Sequence, residues 1–129
     1  MHQIPGLYIV HTDDRGRAVY CLNDIHEGDL IEVCPVILIP NSEMHIIHRT
    51  TLHDYYFLWG EDSDQFAIAL GFGSLYNHQV CNNADFILDY ENHTIDIIAI
   101  KDIPAGIEIT INYHGEYGDN TDLWFEIEK

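Results

Sequence analysis

Between two apolar runs the chain reads Gly71-Phe72-Gly73-Ser74-Leu75-Tyr76-Asn77-His78-Gln79-Val80-Cys81-Asn82-Asn83-Ala84-Asp85. Asn77, His78, Asn82 and Asn83 put amide and imidazole groups where apolar neighbours on both sides should draw the backbone inward, and buried polar groups need hydrogen-bond partners. Such groups either hold a ligand or tie a long loop to itself, and residue type alone leaves both readings open. Tyr113 is a second candidate for chemistry, a phenol closing the segment Ile107-Glu108-Ile109-Thr110-Ile111-Asn112-Tyr113. His45, His48, His53 and Asp54 form a third group, in which His45 and His48 have the spacing of one helix face. That run lacks the glutamate of a zincin motif and reads as a polar loop, so no metal is assigned to it.

The elements that must position these residues are short. Leu7 to His11 and Ala18 to Leu22, split by the polar turn Asp13-Asp14-Arg15-Gly16, predict a hairpin. Beyond a turn at Gly28, Leu30 to Val33 and Val36 to Ile39 read as two strands, with Pro35 interrupting the ladder between them. Residues 41–52 are polar with weak helical spacing, Tyr55 to Trp59 and Gln65 to Leu70 read as strands, and Phe86 to Tyr90 with Thr94 to Ile100 as a hairpin. Strict alternation from Ile107 to Tyr113 predicts a last strand burying Ile107, Ile109, Ile111 and Tyr113. Many short strands and little helix make a mostly β domain. One internal echo stands out: Asp24-Ile25-x-x-Gly28-x-x-Ile31 recurs as Asp102-Ile103-x-x-Gly106-x-x-Ile109. In each copy glycine supplies a positive φ for the turn, and the isoleucines anchor it to the core.

Composition narrows the function classes. A length of 129 residues suits one domain, and 47% apolar with 12% aromatic content supports a packed core. Five Lys+Arg against 22 Asp+Glu give a net charge of −17, which argues against direct nucleic-acid binding and favours a basic partner such as a lysine-rich protein tail. Cys21, Cys34 and Cys81 lie far apart with no CxxC pair, and no secretory leader is evident, as expected in a reduced, intracellular compartment. No run approaches the roughly 18 apolar residues that would cross a bilayer, so no membrane association is expected.

Asn77-His78-x-x-x-x-Asn83-Ala84, followed by Ala99-x-x-Asp102-Ile103-x-x-Gly106-x-Glu108-Ile109-Thr110-x-x-Tyr113, resembles the paired signature motifs of the SET-domain protein-lysine methyltransferases. Gly16-Arg17-Ala18-Val19-Tyr20 and the Asp24 to Ile31 turn resemble the family's first motif, so the likeness spans nearly the whole chain in the right order. It implies a mostly β fold of small sheets with a pseudoknot-like core, in which the Asn77-His78 segment and the segment ending at Tyr113 pass one another. The implied domain covers residues 1–129, with 41–65 as a short insert and 114–129 as a closing segment.

The same resemblance implies S-adenosylmethionine on one face and a lysine entering a narrow channel from the other. Carried over by position, backbone groups near Arg17 and Ala18, with Asn77 and His78, would hold the cofactor, Trp124 would cover its adenine, and Asn83 would brace the knot. Tyr113 takes the central catalytic position. Tyr56, with Tyr55 and Tyr76 as further candidates, and Phe86 would wall the channel. Phe86 falls where a Tyr or Phe influences how many methyl groups are added, and a Phe leans toward several. The chain departs from the family pattern at Ala18 (usually Gly), Ser74-Leu75 (Arg-Phe), Gln79 (Ser) and Ile107 (Glu), and it lacks the zinc-binding cysteine segments of some members. The implied protein acts on a basic, lysine-containing protein and is intracellular, cytoplasmic in a prokaryote and nuclear in a eukaryotic or viral setting. Homodimerisation is one way that short members complete their surface. The rival reading is a non-catalytic SET-like module that binds a basic peptide.

Overall fold

The computed structural model describes residues 2–13 and 16–113. Its strands are β1 (His2–Gln3), β2 (Leu7–Thr12), β3 (Gly16–Cys21), β4 (Leu30–Ile39), β5 (Tyr56–Trp59), β6 (Gln65–Ala69), β7 (Asn77–His78), β8 (Ala84–Asp89), β9 (Thr94–Ala99) and β10 (Thr110–Ile111). The main sheet has six strands in the order β5-β6-β4-β9-β8, with β1 added beside β4. The expected β2–β3 hairpin pairs from Leu7 opposite Cys21 to Thr12 opposite Gly16. Of residues 41–65, the first part forms 3-10 turns at Asn41–Glu43 and Thr51–Asp54 around the single helical turn α1 (Met44–Ile47), whereas Tyr56–Trp59 joins the sheet.

Two sequence expectations need correction. β4 is not broken at Pro35; it runs through it. On one side β4 pairs with β9 up to Pro35 opposite Thr94, and on the other with β6 from Val36 opposite Ala69. The missing N–H of proline falls at this handover, while its carbonyl still accepts from Leu70 N at 2.8 Å. Proline therefore costs the sheet no ladder bond here.

The last strand is the second correction. It is regular only at Thr110–Ile111, Ile107 is 51% exposed, and Thr110 and Asn112, expected to face solvent, are buried at 5% and 1%. This segment runs through the interior, with β7 alongside it in parallel and Asn83 on another flank. A strand covered on both faces loses its alternation.

The internal echo is a clasp. Ile25 and Ile103 exchange both main-chain bonds, N to O at 2.9 and 2.8 Å. Asp24 Oδ1 accepts from Ala105 N at 2.8 Å, and in the mirrored position Asp102 Oδ1 accepts from Glu27 N at 2.9 Å. Gly28 N donates to Ala99 O and Gly106 N to Cys21 O, again equivalent positions. The four isoleucines of the two copies, Ile25, Ile31, Ile103 and Ile109, are buried at 1% or less. Each turn thus closes the other around a local two-fold.

Gly28 and Gly106 have φ of +91° and +82°, and a Cβ at either would meet nothing within 4 Å. Gly106→Ala should therefore cost about 1–2 kcal/mol through backbone conformation alone. Urea unfolding will measure it, and Gly106→Asn should recover part of the loss, because asparagine tolerates this region better.

Candidate active site

Asn77 and His78 reach the interior on β7, where Asn77 lies opposite Thr110 and His78 opposite Ile111. The Asn77 amide donates to Arg17 O and to Glu108 Oε2, both at 2.8 Å, and so ties β3 to the segment leading into β10. His78 Nδ1 accepts from Tyr113 N at 3.0 Å, which leaves the proton of a neutral ring on Nε2. Arg17 is exposed and Ala18 fully buried on β3. Asn83 uses both ends of its amide: Nδ2 donates to Glu108 O and Oδ1 accepts from Thr110 N, each at 2.8 Å. Asn82, fully buried, donates to Ala84 O and Asp85 Oδ1, with no partner for its own Oδ1 among the described residues. The two asparagines thus tie the loop, whereas Asn77 and His78 remain half-buried and accessible.

Tyr113 also lines a cavity of about 540 Å³, together with Tyr55, Tyr56, Phe57, Ser74, Tyr76, Phe86, Leu88 and Tyr90, with Asp54 and Glu61 as its acidic residues. Tyr56, Tyr76, Phe86 and Tyr113, scattered in sequence, meet here. Phe57 and Phe86 set their rings edge to face at 5.0 Å. The Tyr56 hydroxyl shares a hydrogen bond of 2.9 Å with His48 Nε2, and its ring stands edge-on to Phe66. Burial, and then the Asp54 carboxylate, push the Tyr56 phenol up from its ordinary range. Tyr76 borders the cavity but is 1% exposed, and its hydroxyl donates to buried Glu32 at 2.8 Å. Burial, and then Glu32, hold that phenol far above the tyrosine range, so it is always a donor. Tyr113 joins the two regions. Its N–H and ring meet His78, the rings 5.1 Å apart, while its hydroxyl donates to Tyr76 O at 2.9 Å.

The remaining expected residue, Trp124, lies outside the described residues, as does the rest of 114–129. Among the described residues no group of three or more His, Cys, Asp or Glu side chains is placed to hold a metal. His48 is turned to Tyr56, and His53 to Thr50 O and Asp54. No helix of the described residues is long and apolar enough to cross a membrane. Three participants were not singled out by sequence. Phe57 and Tyr90 read there only as strand residues. Glu32 carried a usable signal, as the lone charge in the apolar run Leu30–Ile39.

A parallel contact between β7 and β10, braced by an asparagine and leading into a tyrosine between a polar patch and an aromatic cavity, defines a known class. The SET domain family model matches residues 16–114, and the chain belongs to that family. It is a protein-lysine N-methyltransferase that uses S-adenosylmethionine as its methyl donor. A curated relative is the histone-lysine N-methyltransferase specific for H3 lysine 37 of Schizosaccharomyces pombe, 32% identical over 123 residues, covering 95% of this chain and 78% of the relative. Among solved structures, a Plasmodium falciparum protein assigned as a histone methyltransferase superposes with a TM-score of 0.68 at 26% identity, covering 92% of this chain and 100% of that one.

The residues present suit the cofactor. A zwitterion with a cationic sulfur needs carbonyl and carboxylate acceptors as well as polar donors, and Asn77 joins the Arg17 carbonyl to the Glu108 carboxylate, with His78 next to it on β7. Ala18, in place of the family's glycine, is wholly buried.

Asn83→Ala should destabilise the fold by about 2–4 kcal/mol, because Glu108 O and Thr110 N both lose a partner in a largely buried setting. Denaturant unfolding is the check, with Asn82→Ala as the milder comparison.

Proposed function

We propose that this enzyme methylates lysine in a basic protein, histones being the first class to test given the activities of its relatives, and that Tyr113 is its catalytic residue. The observation that carries this reading is the position of Tyr113 between the Arg17, Asn77 and His78 patch and the aromatic cavity. In this reading Arg17, Ala18, Asn77 and His78 form the cofactor site, and Trp124 covers the adenine. Tyr56, Tyr76 and Phe86 wall the lysine channel. The catalytic unit is a single domain over 1–129, with 41–65 as insert and 114–129 as closing segment. An intracellular location, nuclear in a eukaryotic or viral setting, matches a histone substrate.

Bound S-adenosylmethionine supplies an electrophilic methyl on a positively charged sulfur. The chain's own part is alignment and desolvation. Holding donor and acceptor in line is worth on the order of 7–11 kcal/mol. The attacking lysine must be neutral, although its ordinary pKa is about 10.4. An aromatic cavity that strips water from the ammonium favours the neutral form, against the general pull of a −17 chain. That pull instead gathers a basic substrate from solution and weakens with salt. Tyr113 donates its proton to Tyr76 O, so its hydroxyl oxygen faces the methyl as an acceptor, able to take weak contacts from the polarised C–H groups. Phe86 offers no hydroxyl to pin the amine in one rotamer, which favours successive methylation.

Incubation with histones and isotopically labelled S-adenosylmethionine, read by mass spectrometry, should place label on lysine. Label absent from every histone and from a whole-cell lysate would overturn the substrate class. Tyr113→Phe should lower kcat about 10- to 100-fold with cofactor affinity within about twofold of the parent, because the lost interaction belongs to the transition state. An unchanged rate would demote Tyr113 to a channel wall. Asn77→Ala should weaken cofactor binding about tenfold by calorimetry, since it removes the bonds to the Arg17 carbonyl and to the Glu108 carboxylate at once. Unaltered affinity would leave Asn77 only its bracing bonds.

A further inference from the structure

We infer that Glu32 is a positioning residue for methyl transfer, acting on Tyr113 through Tyr76; this rests on the reading of Tyr113 above. Glu32 is fully buried on β4, the one charged side chain among the buried residues described. Its partners are the Tyr76 hydroxyl on Oε1 at 2.8 Å, with Gln3 Nε2 at 2.9 Å and Phe72 N at 3.1 Å on Oε2. Burial, followed by the Glu32 charge, pushes the Cys34 thiol well above its ordinary range. None of these donors is cationic. A carboxylate held this way does little for stability that a well-packed apolar side chain of similar size would not do. What it adds is geometry.

Two of its bonds grip one short loop at both ends. Phe72 N lies at the start of the 3-10 turn Gly73–Leu75, and Tyr76 follows that turn. Gly71, just upstream, comes so close that a Cβ there would collide with Glu32 Oε2. Inside the loop, Ser74 Oγ accepts from Ala69 N at 3.0 Å and fastens the turn to β6. Tyr76 is thus a rigid strut, held at its hydroxyl by Glu32 and at its backbone by the loop. The peptide carbonyl that leaves this strut is the one accepting from the Tyr113 hydroxyl at 2.9 Å. Glu32 thereby sets where the Tyr76 carbonyl points, the carbonyl sets where the Tyr113 proton points, and the lone pairs of Tyr113 follow. A slack Tyr76 would let the Tyr113 hydroxyl rotate away from the aligned arrangement without emptying the cavity.

Coupling between substitutions tests this path. Tyr76→Phe removes the bond to Glu32 and keeps the ring, while Gln3 and Phe72 still satisfy the carboxylate. It should lower kcat about 5- to 10-fold with the KM for S-adenosylmethionine unchanged, yet change kcat by less than about twofold when introduced into Tyr113→Phe. Glu32→Gln, which also removes the charge, should show the same dependence on Tyr113, and thermal melts confine the comparison to folded protein. An equal loss in both backgrounds, or no loss in either, while Tyr113→Phe itself is impaired, would overturn the relay and leave the catalytic reading of Tyr113 intact. A Tyr113→Phe enzyme at the parent rate would overturn that reading first.

Discussion

The structure turns on one constraint: the segment from Glu108 to Tyr113 must pass through the interior with its main-chain polar groups satisfied. It has a strand neighbour, β7, over only two residues. On another flank the side-chain amide of Asn83 takes the place of a strand, accepting from Thr110 N and donating to Glu108 O, while Val19 O receives Ile109 N. An asparagine amide has the same donor and acceptor as a peptide unit, so one side chain supplies a ladder rung where no backbone can reach. With that rung in place, Tyr113 emerges beside His78 and above the carbonyl of Tyr76. A buried backbone lacking partners would cost more than the marginal stability of a small domain tolerates.

The clasp prepares this passage from a distance. By joining Ile25 to Ile103 and capping each turn with the other's aspartate, it fixes the chain four residues before Ile107, where it turns inward. Its two-fold arrangement puts the ends of β3 and β9 into equivalent relations with the opposite turn, through Cys21 O and Ala99 O. The cofactor-side strand β3 and the sheet strand β9 are therefore held to one frame, and the polar patch and the aromatic cavity keep their spacing.

Much of this was legible from residue order. The hairpin expected from Phe86 to Tyr90 and Thr94 to Ile100 is the β8–β9 pair, with Asp89 opposite Thr94 at its turn. The echo at Asp24 and Asp102 was visible as a repeat, although its mutual closure was not, since a sequence does not say that two turns seventy-odd residues apart will touch. Where reading failed, a second covering surface or a change of partner was the cause. Pro35 looked disruptive because one ladder was imagined where two meet end to end. Thr110 and Asn112 looked exposed because threading covers both faces of a segment that local alternation treats as half-solvated. Tyr76 illustrates the limit at the site: nothing local indicates that its hydroxyl meets a carboxylate from β4, forty-four residues earlier.

The order in which these pieces can form has a bearing on how the enzyme is made. Every strand before β10 except β7 can pair before Thr110 exists, the whole main sheet and the β2–β3 hairpin included, because only the β7 ladder uses it. A chain growing on the ribosome from its N-terminus therefore reaches a nearly complete scaffold with no active centre, its asparagine rung unused and the Tyr76 carbonyl unanswered. The last buried strand enters a structure already standing. Chains cut short before Tyr113 lack the phenol whatever else they form, so the fold ties methyltransferase competence to synthesis having passed that residue.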